Sequence, residues 1–229
     1  MEDQFIKAAG LIGDPTRAAI MWTLLDGRAF TATELSIAVH TSPQNMSMHL
    51  GKLLEANLLC VEKQGRHKYY RFFNKEVAYV VEAMANLIPK PERSLKKKTG
   101  EYPPIKYCRT CYDHLAGKIG VALADSLLEQ KIIIEKDSAF EISPEGEKWF
   151  SDFGINTAEA QKQKRIFLKP CLDWSERRNH IAGSIGTSLL NKMLEQDWIR
   201  KTKDSRAITI TGKGEKEFLK YFKIIVQTS

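Results

Sequence analysis

The sequence predicts a mainly α-helical chain with small β-hairpins, arranged as one N-terminal unit followed by a tandem pair of related units. Three observations carry this. Apolar residues recur at helical spacing in successive short segments. Brief runs rich in β-branched and aromatic residues flank turn residues. The C-terminal half also repeats itself, the signature of a duplicated supersecondary unit. At 229 residues the chain exceeds the usual size of one domain, so more than one core is expected.

Taken in order, a first helix is expected over residues 3–11, with Phe5, Ile6, Ala9 and Leu11 on a rough apolar stripe. In Gly13-Asp14-Pro15-Thr16-Arg17, Asp14 reads as an N-cap and Pro15 takes the first helical position. The second helix buries Ile20, Met21, Leu24 and Leu25 and stops at Asp26-Gly27. A short helix over 33–39 follows. Ser42-Pro43 then starts a longer one with Met46, Leu50, Leu53 and Leu54 inward. Strands over 60–63 and 68–73 flank Gln64-Gly65-Arg66-His67, a hairpin tip containing glycine. A helix over 75–87, with Val77, Val80, Val81, Met84 and Leu87 apolar, closes the unit.

The domain boundaries read as 1–90 for this unit, 91–106 for a basic Pro/Lys-rich linker and 107–229 for the C-terminal region. The linker stretch Lys90-Pro91-Glu92-Arg93-Ser94-Leu95-Lys96-Lys97-Lys98 disfavours packed structure. It reads as a solvated tether or, alternatively, as a contact to DNA phosphates.

Within 107–229, His114-Leu-Ala-Gly-Lys-Ile-Gly120 matches His180-Ile-Ala-Gly-Ser-Ile-Gly186 at an offset of 66. Leu128-Glu129-Gln130 matches Leu194-Glu195-Gln196 at the same offset. Ser143-Pro144-Glu145-Gly146-Glu147-Lys148 matches Thr211-Gly212-Lys213-Gly214-Glu215-Lys216 at 68. Each copy, about 107–157 and 171–229, reads as helix, hairpin, helix, with Ser143 or Thr211 capping the last helix. That is the latter part of a winged helix, so the region is expected to be two degenerate winged-helix-like units packed together. Gly117, Gly120, Gly183 and Gly186 are expected to permit close helix–helix approach, because glycine in a helix interior otherwise costs about 1 kcal/mol.

The net charge of +7 suits a polyanionic partner without proving one. Residues 1–98 carry 14 Lys/Arg against 10 Asp/Glu, and residues 99–229 carry 21 against 18, so placement matters more than total. No apolar run approaches the roughly 20 residues of a membrane span. The start Met1-Glu2-Asp3-Gln4 has neither a basic n-region nor an apolar h-region. A cytoplasmic protein without membrane association is expected, in which Cys60, Cys108, Cys111 and Cys171 serve as thiols, ligands or redox groups rather than structural disulfides.

The short helix, tight turn and longer helix across 33–56 have helix-turn-helix spacing, and the hairpin behind them is the wing of a winged helix-turn-helix. In that motif the second helix enters the major groove by its N-terminal end. The candidate DNA-binding residues are therefore Ser42, Gln44, Asn45, Ser47, His49 and Lys52 on the helix, with Arg66, His67 and Lys68 at the wing tip. Gln and Asn can each bond an adenine edge bidentately, whereas Ser and His suit phosphates or bases. An arginine on the tip suits the backbone or the adjacent minor groove. The bland reading of each residue is a solvated surface; the complete order of elements favours nucleic acid.

Residues 5–88 resemble the ArsR/SmtB family of bacterial winged-helix regulators. The resemblance rests on Gly13-Asp14-Pro15-Thr16-Arg17, on Thr33, Glu34 and Leu35, on Ser42-Pro43, Met46-Ser47, His49-Leu50 and Leu53, and on Gly65-Arg66 with Tyr69-Tyr70. It implies a homodimer paired through the first and last helices of the module. It also implies binding to double-stranded DNA at a near-palindromic operator and repression relieved by a small effector. The full length resembles a subgroup with a C-terminal extension, marked by Cys111-Tyr-Asp-His114-Leu-Ala-Gly117 and Cys171-Leu-Asp-Trp174-Ser-Glu-Arg-Arg178. The metal sites that the resemblance suggests are not matched. The third helix lacks cysteine and the last helix of the module lacks histidine, where a soft metal needs thiolates or imidazoles.

The candidate sensor residues are Cys108, Cys111, His114 and Cys171. Thr110-x-x-Asp113 has the form of a capping box, which predicts Cys111 at a helix start with a lowered thiol pKa. No cofactor is expected beyond a thiophilic metal at Cys108, Cys111 and Cys171 with His114. A Cys111–Cys171 disulfide is the redox version, and two buried structural cysteines are the bland one. His114 and His180, equivalent in the repeat, read as ligands or as packing residues. Asp173 reads as an N-cap with Glu176 reaching back, and Trp174 and Arg178 as possible pocket residues.

Two rival readings remain: a weakly specific architectural DNA-binding protein, and a thiol-dependent enzyme using Cys111. The second lacks a thioredoxin-like βαβ context, a phosphate-binding glycine loop, a Gly-x-Ser-x-Gly elbow and a His-Glu-x-x-His segment.

Overall fold

The computed structural model describes residues 2–87, 102–203 and 205–226, and the chain divides into two compact units, 1–87 and 88–229. The basic linker expected over 91–106 lies outside the described residues as far as residue 101.

The first unit runs α1 (Glu2–Ile12), α2 (Pro15–Leu24), β1 (Phe30–Thr31), α3 (Ala32–Val39), α4 (Pro43–Glu55), β2 (Leu59–Gln64), β3 (His67–Phe72) and α5 (Lys75–Ala85). This is a winged helix-turn-helix. Asp14 caps α2 by accepting the Arg17 amide at 2.9 Å. Arg17 then reaches back, donating to the carbonyls of Leu11 (2.6 Å) and Gly10 (3.0 Å) that α1 leaves unsatisfied at its C-terminal end. The Gly-Asp-Pro-Thr-Arg motif is thus a hinge that joins two helices through both of their ends.

Thr31 and Glu34 form a reciprocal capping box at the start of α3. Its C-cap His40 is left-handed, φ 54°, which turns the chain sharply into α4. β1 is too short to show periodicity; it pairs Phe30 with Tyr70 and Thr31 with Tyr69, adding an edge to the wing. The core gathers Ile20, Met21, Leu24, Leu25, Leu35, Met46, Leu50, Leu53 and Leu59 under Ala78 and Val81 of α5. α1 buries none of its residues within the chain.

The second unit runs α6 (Pro104–Tyr107), β4 (Arg109–Cys111), β5 (His114–Ala116), α7 (Gly117–Glu129), β6 (Ile133–Lys136), β7 (Ala139–Ile142), α8 (Pro144–Asp152), α9 (Thr157–Gln161), β8 (Lys169–Leu172), β9 (Asn179–Ala182), α10 (Ser184–Glu195), β10 (Ile199–Lys201), β11 (Ile208–Ile210) and α11 (Gly212–Phe222). Each repeat is therefore hairpin, helix, hairpin, helix. The leading hairpin of each is an addition to the expected helix–hairpin–helix. Ser143 and Thr211 cap α8 and α11 as expected, each accepting the amide three residues on.

A single apolar core runs through both repeats, from Ile119, Leu123 and Leu127 of α7 to Ile185, Leu189 and Met193 of α10. It ends in an aromatic cluster of Trp149, Phe153, Trp198, Tyr221 and Phe222, with Trp149 stacked on Phe153 at 4.8 Å.

The paired glycines do not serve helix–helix approach. Gly117 and Gly183 have φ of 78° and 87° at the turn from hairpin to helix, and a Cβ on either would lie within 2.7 Å of a carbonyl oxygen in the segment leading into its hairpin. Gly120 and Gly186 seat each helix against its own hairpin, and a Cβ on Gly186 would stand 3.1 Å from the Cβ of His114 in the other repeat. The repeats interlock reciprocally: α7 packs on β9, and α10 packs on β5.

Candidate functional site

The DNA-reading candidates lie on α4 and the wing. Ser42 is the N-cap of α4, its hydroxyl accepting the Asn45 amide at 3.3 Å. Met46, His49, Leu50 and Leu53 form the buried stripe, while Gln44, Asn45, Ser47 and Lys52 stand exposed on the opposite face. Ser47 also returns its hydroxyl to the Pro43 carbonyl at 3.0 Å.

His49 corrects the sequence reading. It is buried, with Nδ1 3.6 Å from Asp14 Oδ1 at the cap of α2, so it faces inward. The signal was present: residue 49 lies one helical turn after Met46 and one before Leu53, on the apolar stripe. At the wing, Arg66, His67 and Lys68 are exposed around Gly65, whose φ of 59° permits the tight turn.

In the second unit the capping-box reading of Thr110 and Asp113 fails. Residues 109–116 form a hairpin, and Cys111 sits on β4 rather than at a helix start. Cys108 also leaves the candidate set. Its backbone is extended, and side chains three apart along an extended chain point to opposite faces. Cys108 enters the apolar core, where burial pushes its thiol well above the ordinary range.

The structure instead gathers Cys111, His114, Cys171 and His180, whose ligand atoms all lie within 4.8 Å of one another, a group that could hold a metal ion. None of the four cysteines is disulfide-bonded. His180, read from the sequence as a packing alternative, completes the group. Register explains the assembly. Cys111 pairs directly across β4–β5 with His114, and Cys171 pairs directly across β8–β9 with His180. Each hairpin thus supplies one thiol and one imidazole from the same cross-strand position. The second hairpin has a longer loop, so the cysteines fall out of step with the offset of 66 shared by the histidines.

The two histidines face each other with Nε2 atoms 3.1 Å apart, and each turns Nδ1 toward a carboxylate. His114 Nδ1 lies 3.3 Å from Asp113 Oδ1, and His180 Nδ1 lies 3.3 Å from Asp173 Oδ2. Each aspartate is in turn held by an arginine distant in sequence. Arg165 grips Asp113 through both terminal nitrogens, at 2.5 and 3.2 Å. Arg109, fully buried, donates to Asp173 at 2.9 Å and lies over the Trp174 ring at 4.7 Å.

Asp173 also accepts the amides of Gly117, Ser175 and Glu176. It is the centre of a turn, not the N-cap of a helix. Burial pushes its pKa up, but His180 and Arg109 outweigh that and hold the carboxyl well below the usual range. Asp113 is held low by the bond to His114 and, against burial, by Arg165. Burial lowers the pKa of His180, yet Asp173 and Cys111 reverse it to a net rise. Arg178 pairs with Asp125 at 2.5 Å, and Trp174 covers Arg109, so neither is placed in a pocket by these contacts.

Among the described residues, no helix is long and apolar enough to cross a membrane.

A family model described as a helix-turn-helix domain matches residues 12–62. Over 224 residues the chain is 43% identical to the HTH-type transcriptional regulator YdfF of Bacillus subtilis, covering 98% of this chain and 99% of that protein. Over 76 residues it is 32% identical to the HTH-type transcriptional regulator KmtR of Mycobacterium tuberculosis, covering 33% of this chain and 58% of that protein. Among solved structures, HlyU from Vibrio cholerae is similar at 22% identity and a TM-score of 0.36, covering 39% of this chain and 96% of that one.

Proposed function

The chain belongs to the HTH-type transcriptional regulators, and from that premise we propose a homodimeric, operator-specific repressor whose hold on DNA is set by an effector at the second unit. The observation that carries this reading is the division of α4 into two faces. Met46, His49, Leu50 and Leu53 are locked into the core, so Gln44, Asn45, Ser47 and Lys52 are presented on a rigid helix beginning at Ser42. Gln44 and Asn45 read base edges, while Ser42, Ser47 and Lys52 meet phosphates and fix the register. Arg66, His67 and Lys68 reach the flanking backbone or minor groove from the wing.

Dimerisation follows from the apolar residues the first unit leaves uncovered. α1 has no fully buried residue within the chain and exposes Phe5 (73%) and Ile6, while α5 exposes Tyr79, Val80 and Met84, followed by Leu87 at 81%. Apolar residues clustered on two helices mark an association surface. A second copy presenting the same surface yields an isologous pair and hence a near-palindromic site. The protein works in the cytoplasm, without catalysis, and Cys111 acts as a ligand rather than a nucleophile.

Footprinting on genomic fragments tests the reading. A bounded, near-palindromic protected site is expected, lost when Gln44 and Asn45 are both replaced by alanine. Uniform coverage insensitive to these residues would instead make the protein a weakly specific architectural binder.

A further inference from the structure

We propose that Cys111 Sγ, His114 Nε2, Cys171 Sγ and His180 Nε2 form a closed, tetrahedral site for a thiophilic divalent cation of the zinc class, shared equally by the two repeats of the second unit. The proposal deepens the effector reading above and rests on it only for its consequence at the operator.

Geometry is the first support. The four ligand atoms already lie within 4.8 Å of one another. The Nε2–Nε2 separation of 3.1 Å is close to the roughly 3.3 Å expected for two nitrogens bound about 2.0–2.1 Å from one tetrahedral ion. Without a cation, two ring nitrogens facing each other at that distance need a proton between them. A cation satisfies both lone pairs at once.

Orientation is the second. Ligating histidines characteristically turn their other ring nitrogen to a carboxylate, which fixes the tautomer and aims the lone pair. Both histidines here do so, His114 to Asp113 and His180 to Asp173. Each aspartate stands two residues after a cysteine of the group, in Cys111-Tyr112-Asp113 and Cys171-Leu172-Asp173. Ligand and orienting residue therefore recur together in both repeats.

Charge is the third. Two thiolates neutralise a divalent ion. The two aspartates are balanced by Arg165 and Arg109, so a loaded centre buries no net charge. Thiolate and imidazole donors select zinc-like over hard cations. Four protein ligands leave no open position, which fits a structural or sensing centre and not a catalytic one. Bound metal would tie hairpin to hairpin, and with them the packing of α7 on β9 and α10 on β5.

Metal uptake by the purified, reduced full chain is the test, with Co2+ as the probe and Zn2+ as competitor. The expected result is about one Co2+ per chain in a tetrahedral, thiolate-bound spectrum that Zn2+ abolishes. The thiolate charge-transfer band should be lost or halved in Cys171→Ser and unchanged in Cys60→Ser. Asp113→Asn, at a partly exposed site, should weaken uptake by about 10- to 100-fold. If the wild-type chain takes up no Co2+, or if its thiolate band is undiminished in Cys171→Ser, the site is refuted. A reduced chain that ignores metal but forms a Cys111–Cys171 disulfide on mild oxidation would replace it with a redox pair. Because uptake is read on the metal, a chain that loads Co2+ but protects no operator would refute the DNA reading and leave this site standing.

Discussion

The two units of this chain use polar residues in opposite ways. In the first, the polar residues proposed to act stand exposed on one short helix and one hairpin tip, and the apolar core beneath serves only to hold them. In the second, the polar groups of interest are at the centre, interleaved with the core, and the histidine pair and both arginine–aspartate pairs join residues far apart in sequence. The first unit's proposed role lies within one stretch of sequence. The second's depends on two stretches meeting, so it is as much a property of assembly as of residues.

Five substitutions press on that contrast. The largest effect is expected at the buried centre. Asp173→Asn would leave the Arg109 guanidinium, fully buried against Trp174, without its counter-charge, at a cost of about 3–5 kcal/mol. Urea unfolding followed by tryptophan fluorescence should show it; a shift of the order seen for surface changes would mean that the centre is not structurally coupled.

Gln44→Ala or Asn45→Ala should cost about 1–3 kcal/mol against the cognate operator and flatten discrimination between sites. Titrations on matched and mismatched duplexes measure both, with stability unchanged as the contrast demands. Removing the α2 cap with Asp14→Ala should cost about 1 kcal/mol in thermal or urea unfolding, because the carboxylate accepts the Arg17 amide and faces His49. The smallest effect is expected at Arg66→Ala. The slope of log affinity against log salt should fall by about one phosphate contact, and an unchanged slope would take the wing off the DNA.

Legibility in the sequence followed the same divide. Asp14-Pro15 and Ser42-Pro43 announced their helices because caps are local chemistry, and the stripe of α4 was visible in its spacing. β1 was not, since a two-residue strand has no period and gains its identity only by pairing with Tyr69 and Tyr70. His49 was misplaced because its polarity outweighed its position on the stripe.

In the second unit, the histidine repeat and the capped helices could be read directly. The cysteine–histidine pairing could not, for two physical reasons. Three-residue strands are too short to alternate visibly, so Thr110-x-x-Asp113 passed for a helix start. The unequal loops also shifted Cys171 relative to Cys111 while leaving the histidines in step. Aligning the repeats by hairpin register instead of by a fixed offset would have revealed it.

The crossed pairs Arg109–Asp173 and Arg165–Asp113 also bear on how this unit can be divided. Neither repeat carries a finished copy of the arrangement: a fragment ending before residue 165 would hold Arg109 with nothing acidic at Asp173 to answer it. Such a fragment could regain its missing half only by meeting the complementary piece, so severed halves of this unit should recover their native form together and never apart.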